Sequence, residues 1–157
     1  MRRLTQISLI VLALLCVIGI ISYLDFLSEE KERQKISSSL NQEVQKNRAG
    51  DIDLVDFSLL TSFSWDKLYI FSPYSPPESI DTALGKYWIG SRFTEIKSSD
   101  RISLLVFTKN GKVVRYLEFP RSRGDFSPAA NESGYPMPLA KFIVDDKGQM
   151  IWALENK

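Results

Sequence analysis

No histidine occurs in the 157 residues, and a single cysteine, Cys16, is the only thiol. The first absence removes the commonest general base and the commonest transition-metal ligand. The second leaves everything after the N-terminal apolar run without a disulfide, a thiolate nucleophile or a zinc site built on sulfur. Excess charge is also missing. The whole chain carries 20 Lys and Arg against 19 Asp and Glu, and residues 51–157 carry 13 against 14. Nucleic-acid binding favours a clustered basic face, and neither the balance nor the spacing supplies one, so no nucleic-acid partner is expected. No metal or organic cofactor is expected either, and no internal repeat is present.

What the chain has first is an uncharged apolar run. Arg2 and Arg3 precede residues 7–24, ISLIVLALLCVIGIISYL. Eighteen residues at ~1.5 Å each span roughly 27 Å, close to the hydrocarbon thickness of a bilayer. A cleaved signal peptide would have a shorter apolar stretch and a small-x-small cleavage site, and none precedes Asp25. A lipoprotein signal would place a small residue before the cysteine, where this chain has Leu15. An uncleaved signal anchor over residues 1–27 fits best, ahead of a cleaved signal and a buried core helix. Arg2 and Arg3 on one flank and Asp25, Glu29 and Glu30 on the other predict a cytoplasmic N-terminus. The rest would then be periplasmic or extracellular, on a single-pass protein of the cell (inner) membrane. Cys16 would face lipid or a neighbouring helix.

Residues 28–50 change character. Ile36, Leu40 and Val44 recur every fourth residue along one helical stripe of an otherwise polar segment, and Gly50 suits a helix stop. The expectation is a solvated helical stalk; three apolar positions are too few for a coiled coil.

Residues 51–157 read as an α+β domain: a small antiparallel sheet of about five strands with one packed helix. The clearest signal is 102–119, where Asn110-Gly111 separates two apolar runs as a type I′ hairpin turn does. Val113, Arg115, Leu117 and Phe119 are expected on one face, with Val114, Tyr116 and Glu118 on the other. An earlier strand runs through 65–74, with Leu68 and Ile70 opposite Tyr69 and Phe71. Pro76-Pro77-Glu78 opens a helix that Gly85 stops. Tyr87, Trp88 and Phe93 are expected to cover the sheet from a loop. Residues 127–138, with three prolines and a glycine, are expected as a loop. A second hairpin, turning at 145–148, closes the chain. Residues 51–57 resist placement.

Among motifs, Ser64-Trp65-Asp66-Lys67 spells the S-x-x-K of penicillin-binding enzymes. It leads into a strand rather than a buried helix and lacks the companion elements. Arg123-Gly124-Asp125 spells an adhesion tripeptide, a match too short to carry weight. Asn131-Glu132-Ser133 is a glycosylation acceptor only in a cell that modifies such sites. Asp145-Asp146-Lys147-Gly148 and Asp51-Ile52-Asp53 lack the ligand pattern of a calcium loop. Residues 121–126 stand out. Two arginines around a serine, then Gly-Asp, would hold a carboxylate or phosphate by guanidinium forks, unless Asp125 pairs with an arginine internally. Arg121, Arg123 and Asp125 are therefore the expected recognition residues, with Tyr74 and Trp88 as aromatic flanks.

The pattern Trp65-Asp66-Lys67-Leu68-Tyr69-Ile70-Phe71-Ser72-Pro73-Tyr74, with 111–121 (GKVVRYLEFPR), resembles a loosely defined family of small bacterial proteins. These carry an N-terminal signal or anchor and a compact extracytoplasmic domain, and have no assigned activity. The resemblance covers roughly residues 57–126; it implies an envelope location and adds no catalytic residue. The expectation is a non-enzymatic, membrane-anchored protein whose outer domain binds another envelope component, a protein. The alternatives are a subunit acting through its spanning helix and a histidine-independent hydrolase.

Overall fold

The structure is a computed structural model that describes residues 2–48, 54–145 and 147–153. The chain divides into two compact units, Met1–Gln34 and Lys35–Lys157. A single helix, α1 (Arg2–Arg48), supplies all of the described part of the first and the opening of the second. In the first unit, Leu12, Leu14, Leu15, Val17, Ile18, Ile20, Ile21 and Leu24 are all exposed. A helix with apolar side chains on every side has no aqueous surface to offer. α1 is long and apolar enough to cross a membrane.

In the second unit the stripe Ile36, Leu40 and Val44 is not solvated as expected of a stalk. All three side chains are buried in the main hydrophobic core of the domain. The spacing was right for a helix face; the surface that covers it comes from residues 55–150, which local sequence does not announce.

Two antiparallel sheets form the domain rather than one. The larger runs in the order β4 (Lys112–Pro120), β3 (Ile102–Lys109), β2 (Lys67–Phe71), β5 (Asn131–Pro136). The smaller runs β1 (Val55–Asp56), β6 (Lys141–Val144), β7 (Met150–Trp152). Two short helices complete it, α2 (Phe57–Leu60) and α3 (Pro77–Leu84). The fold class is α+β, as the sequence indicates.

β2 and β3 are covered on both faces, so their sequences are apolar without a break. Leu68, Ile70, Leu105 and Phe107 look into the core shared with Ile36, Leu40 and Val44. Tyr69, Phe71, Leu104 and Val106 look the other way, onto Ile80 and Leu84 of α3 and onto Ile96. Phe57 centres the main core, with ring centroids 5.9 Å from Phe107, 5.9 Å from Phe126 and 5.7 Å from Phe142. Such tilted and edge-on contacts suit the aromatic quadrupole. Phe57 also explains why residues 51–57 were hard to place. Strand β1 is two residues long and gives way at once to α2, which Asp56 caps by accepting from the Ser58 N–H at 2.9 Å.

The Asn110-Gly111 turn forms as expected, with φ of 50° and 67°. The facing of its second strand does not hold throughout. A bulge shifts the register between Phe107 and Thr108, so Thr108 pairs with Val113 and Phe107 with Arg115. Val114 is the extra residue. It joins the Leu117 and Phe119 side, while Val113 packs with Tyr116 on the α3 side. The proline-rich stretch also departs from expectation, because residues 131–136 form β5 instead of a loop. β5 is an edge strand with a register shift opposite Leu68 and Ile70, where proline and a left-handed glycine are tolerated. Gly134 sits there at φ 67° with the Lys67 side chain against it.

Candidate functional site

The loop after β4 is organised by Asp125. Its carboxylate accepts a two-pronged bond from Arg121, Nε at 2.9 Å and Nη2 at 2.7 Å, and the Ser127 N–H at 2.9 Å. Its backbone reaches the last hairpin, donating to the Gly148 carbonyl and accepting from the Met150 N–H. Burial alone would raise the Asp125 carboxyl, but the hydrogen bonds from Arg121 and Ser127 and the guanidinium charge bring it down to about 2. Gly124 is buried where a Cβ would stand 3.2 Å from the Val44 side chain, and Phe126 is fully buried. Asp125 is therefore an internal partner of Arg121, and the second half of the loop belongs to the core. Arg123 is exposed.

Arg121 also donates through Nη1 to the Asp100 carbonyl at 2.7 Å. Its pKa is raised first by the hydrogen bond to Asp125, against burial, with Asp125, Asp100 and Tyr74 adding electrostatically. A guanidinium has five N–H donors, so three are taken and two remain. They border an open depression of ≈ 530 Å³ lined by Glu95, Ser99, Asp100, Arg101, Ile102, Pro120, Arg121 and Ser122. Arg101 brings a second, exposed guanidinium to this rim.

Tyr74 stands beside it. The Ser75 N–H bonds the Ser72 carbonyl at 3.3 Å, closing a turn with Pro73 second and Tyr74 third. Tyr74 has φ 64°, a conformation that suits glycine, and its ring is 61% exposed. Its own N–H is fixed to the Ile96 carbonyl at 2.8 Å. A large side chain kept at positive φ costs stability, and its packing returns little at this exposure. The sequence shows Pro73-Tyr74; the backbone sign that singles out the tyrosine is not readable from it.

Trp88 is placed elsewhere. Its ring lies edge-on to Tyr116 at 5.2 Å and covers Gly90, where a Cβ would fall 2.4 Å from the indole. It is half-buried against the sheet, with its N–H given to Asp81 at 2.9 Å. The other two aromatics expected as cover are not cover: Tyr87 and Phe93 are exposed. Trp65 is buried.

The S-x-x-K residues do not converge on one another. Ser64 accepts from Lys109 Nζ, Asp66 accepts from the Asn110 N–H at 2.6 Å, and Ser64, Asp66 and Lys109 are all exposed. Among the described residues no group of three or more His, Cys, Asp or Glu gathers as a metal site would need. Asp145 closes its turn by accepting from Lys147 and Gln149 N–H groups, while Asp51 and Asp53 lie outside the described residues. Asn131, in β5, accepts the Ser133 N–H at 2.8 Å. No family model matches the chain, and neither does any curated protein or solved structure.

Proposed function

We propose that this is a single-pass membrane protein whose folded domain docks another component of the cell envelope, through the surface around Tyr74, Arg101 and Arg121. The observation that carries the reading is Tyr74, a mostly exposed ring held at positive φ beside a two-arginine rim. An aromatic anchor next to a guanidinium pair suits an acidic segment of a protein partner. Asp125 sets the Arg121 fork in place, and Arg101 supplies the charge that Asp125 does not neutralise. Binding is favoured over catalysis because Ser64, Asp66 and Lys109 are solvated and far from forming an enclosed pocket. In this reading the N-terminus is cytoplasmic and the domain lies outside, supported by Arg2 and Arg3 before the apolar run and Asp25, Glu29 and Glu30 after it.

The test is photo-crosslinking in cells from a reactive residue at Ser122, in the wild type, Arg101→Glu and Tyr74→Gly, with membrane levels matched. A partner band lost in both variants is the expected result. A band that neither variant changes would remove this surface from the function and point to the spanning helix.

A further inference from the structure

Between α3 and β3 lies a second exposed surface of different chemistry. Three large apolar residues of residues 86–97 face solvent: Tyr87 at 64%, Ile89 at 54% and Phe93 at 79% exposure. They are held by rigid neighbours. Ile89–Arg92 is a 3₁₀ turn, the Phe93 N–H closes on the Gly90 carbonyl at 3.0 Å, and Ile96 is buried below. The Arg92 guanidinium lies over the Tyr87 ring at 4.2 Å while holding Asp81 at 2.6 Å. Trp88 fixes the base of the segment against Tyr116. A preformed turn that holds a phenylalanine out in water, with its neighbours pinned, loses little entropy when that ring is covered.

We propose that this segment is a second membrane contact, in which Phe93, Ile89 and Tyr87 enter the headgroup region of the bilayer that holds the chain's own anchor. The proposal rests on the anchored reading of residues 7–24 given above. Three observations favour lipid over other occupants. The segment combines Tyr, Trp, Phe and Ile with Lys86, Arg92 and Lys97 against one acid, Glu95, the mixture that settles at membrane interfaces. Lys97 is exposed, which suits anionic headgroups, whereas lysine is depleted in protein–protein contacts. A symmetric contact between two copies would set Lys86 and Lys97 against their own counterparts. The covalent anchor also raises the effective concentration of the bilayer, so three side chains suffice where a free protein would need more.

The experiment uses the full chain in a Cys16→Ser background, reconstituted in phosphatidylcholine vesicles with and without phosphatidylglycerol. An environment-sensitive label is placed on Phe93→Cys and, as a reference, on Leu59→Cys, which is 83% exposed on α2. Lipids brominated near the headgroup serve as quenchers. The expected result is blue-shifted emission at 93, quenched several-fold more strongly than at 59. Lys86→Glu/Lys97→Glu should reduce that quenching in the anionic vesicles. Equal, water-like emission at both positions overturns the proposal. So does a blue shift at 93 that ignores brominated lipid and disappears on mixing with unlabelled protein, which marks contact between copies. A label at the native Cys16, in the unmutated chain, reports the anchor separately. If lipid does not quench it, the anchored reading fails and this one with it.

Discussion

At the scale of single residues, Asp125 and Tyr74 pull in opposite directions. Asp125 has a carboxyl lowered from 3.8 to about 2. A carboxyl depressed in the folded state stabilises the fold above its unfolded pKa, and that contribution is lost as pH falls through the folded value. The shift corresponds to at most roughly 2 kcal/mol, reduced by screening at the half-exposed Arg121. Arg121→Ala should lower the unfolding free energy near neutral pH and flatten its fall between about pH 4 and about pH 2, with Arg123→Ala as an unchanged control. Denaturant titrations at stepped pH would show it. Tyr74 should behave the other way. Tyr74→Gly relieves the positive φ and is expected to raise stability by about 1 kcal/mol, seen as a higher Tm, while weakening partner capture. A fall in Tm would mean that the exposed ring packs better than its solvent contact indicates.

Among elements, the most informative is the last third of α1. Leu40 is fully buried, and Leu40→Ala should cost ~2–5 kcal/mol, measurable as a drop in the denaturant midpoint of the whole domain. A solvated stalk would lose a few tenths at most. The stripe Ile36, Leu40, Val44 is plain in the sequence because a helix period needs only local spacing. That it packs against the domain is not, because the covering residues lie far along the chain. The hairpins show the same division. Asn110-Gly111 names its turn through φ, which two residues determine. The Val114 bulge depends on pairing with β3, and β5 exists only because β2 offers it an edge, so prolines that read as loop punctuation become edge residues. At the site, the loop at 121–126 was visible as charge pattern and its internal pairing was foreseeable. The Tyr74 strain, Arg101 and the exposure of Phe93 were not, since each depends on what a distant segment leaves uncovered.

On the scale of the whole molecule, a long apolar N-terminal helix and a near-neutral α+β domain share one continuous element. This arrangement allows the two functional surfaces to be tested against the anchor itself. Replacing residues 7–24 by an unrelated spanning helix should leave partner crosslinking from Ser122 intact. Its loss, at equal membrane level, would assign the specific contact to the helix.

The burial of Ile36, Leu40 and Val44 also decides what survives release from the membrane. A protease cutting before Lys35 would shed a domain with its whole core, able to circulate as a folded ligand. One cutting near Gly50 would strip three core side chains from beneath the sheet, leaving Gly124 and Phe119 facing a trough and the fragment marked for degradation. Secretion and disposal are thus separated by about four turns of helix.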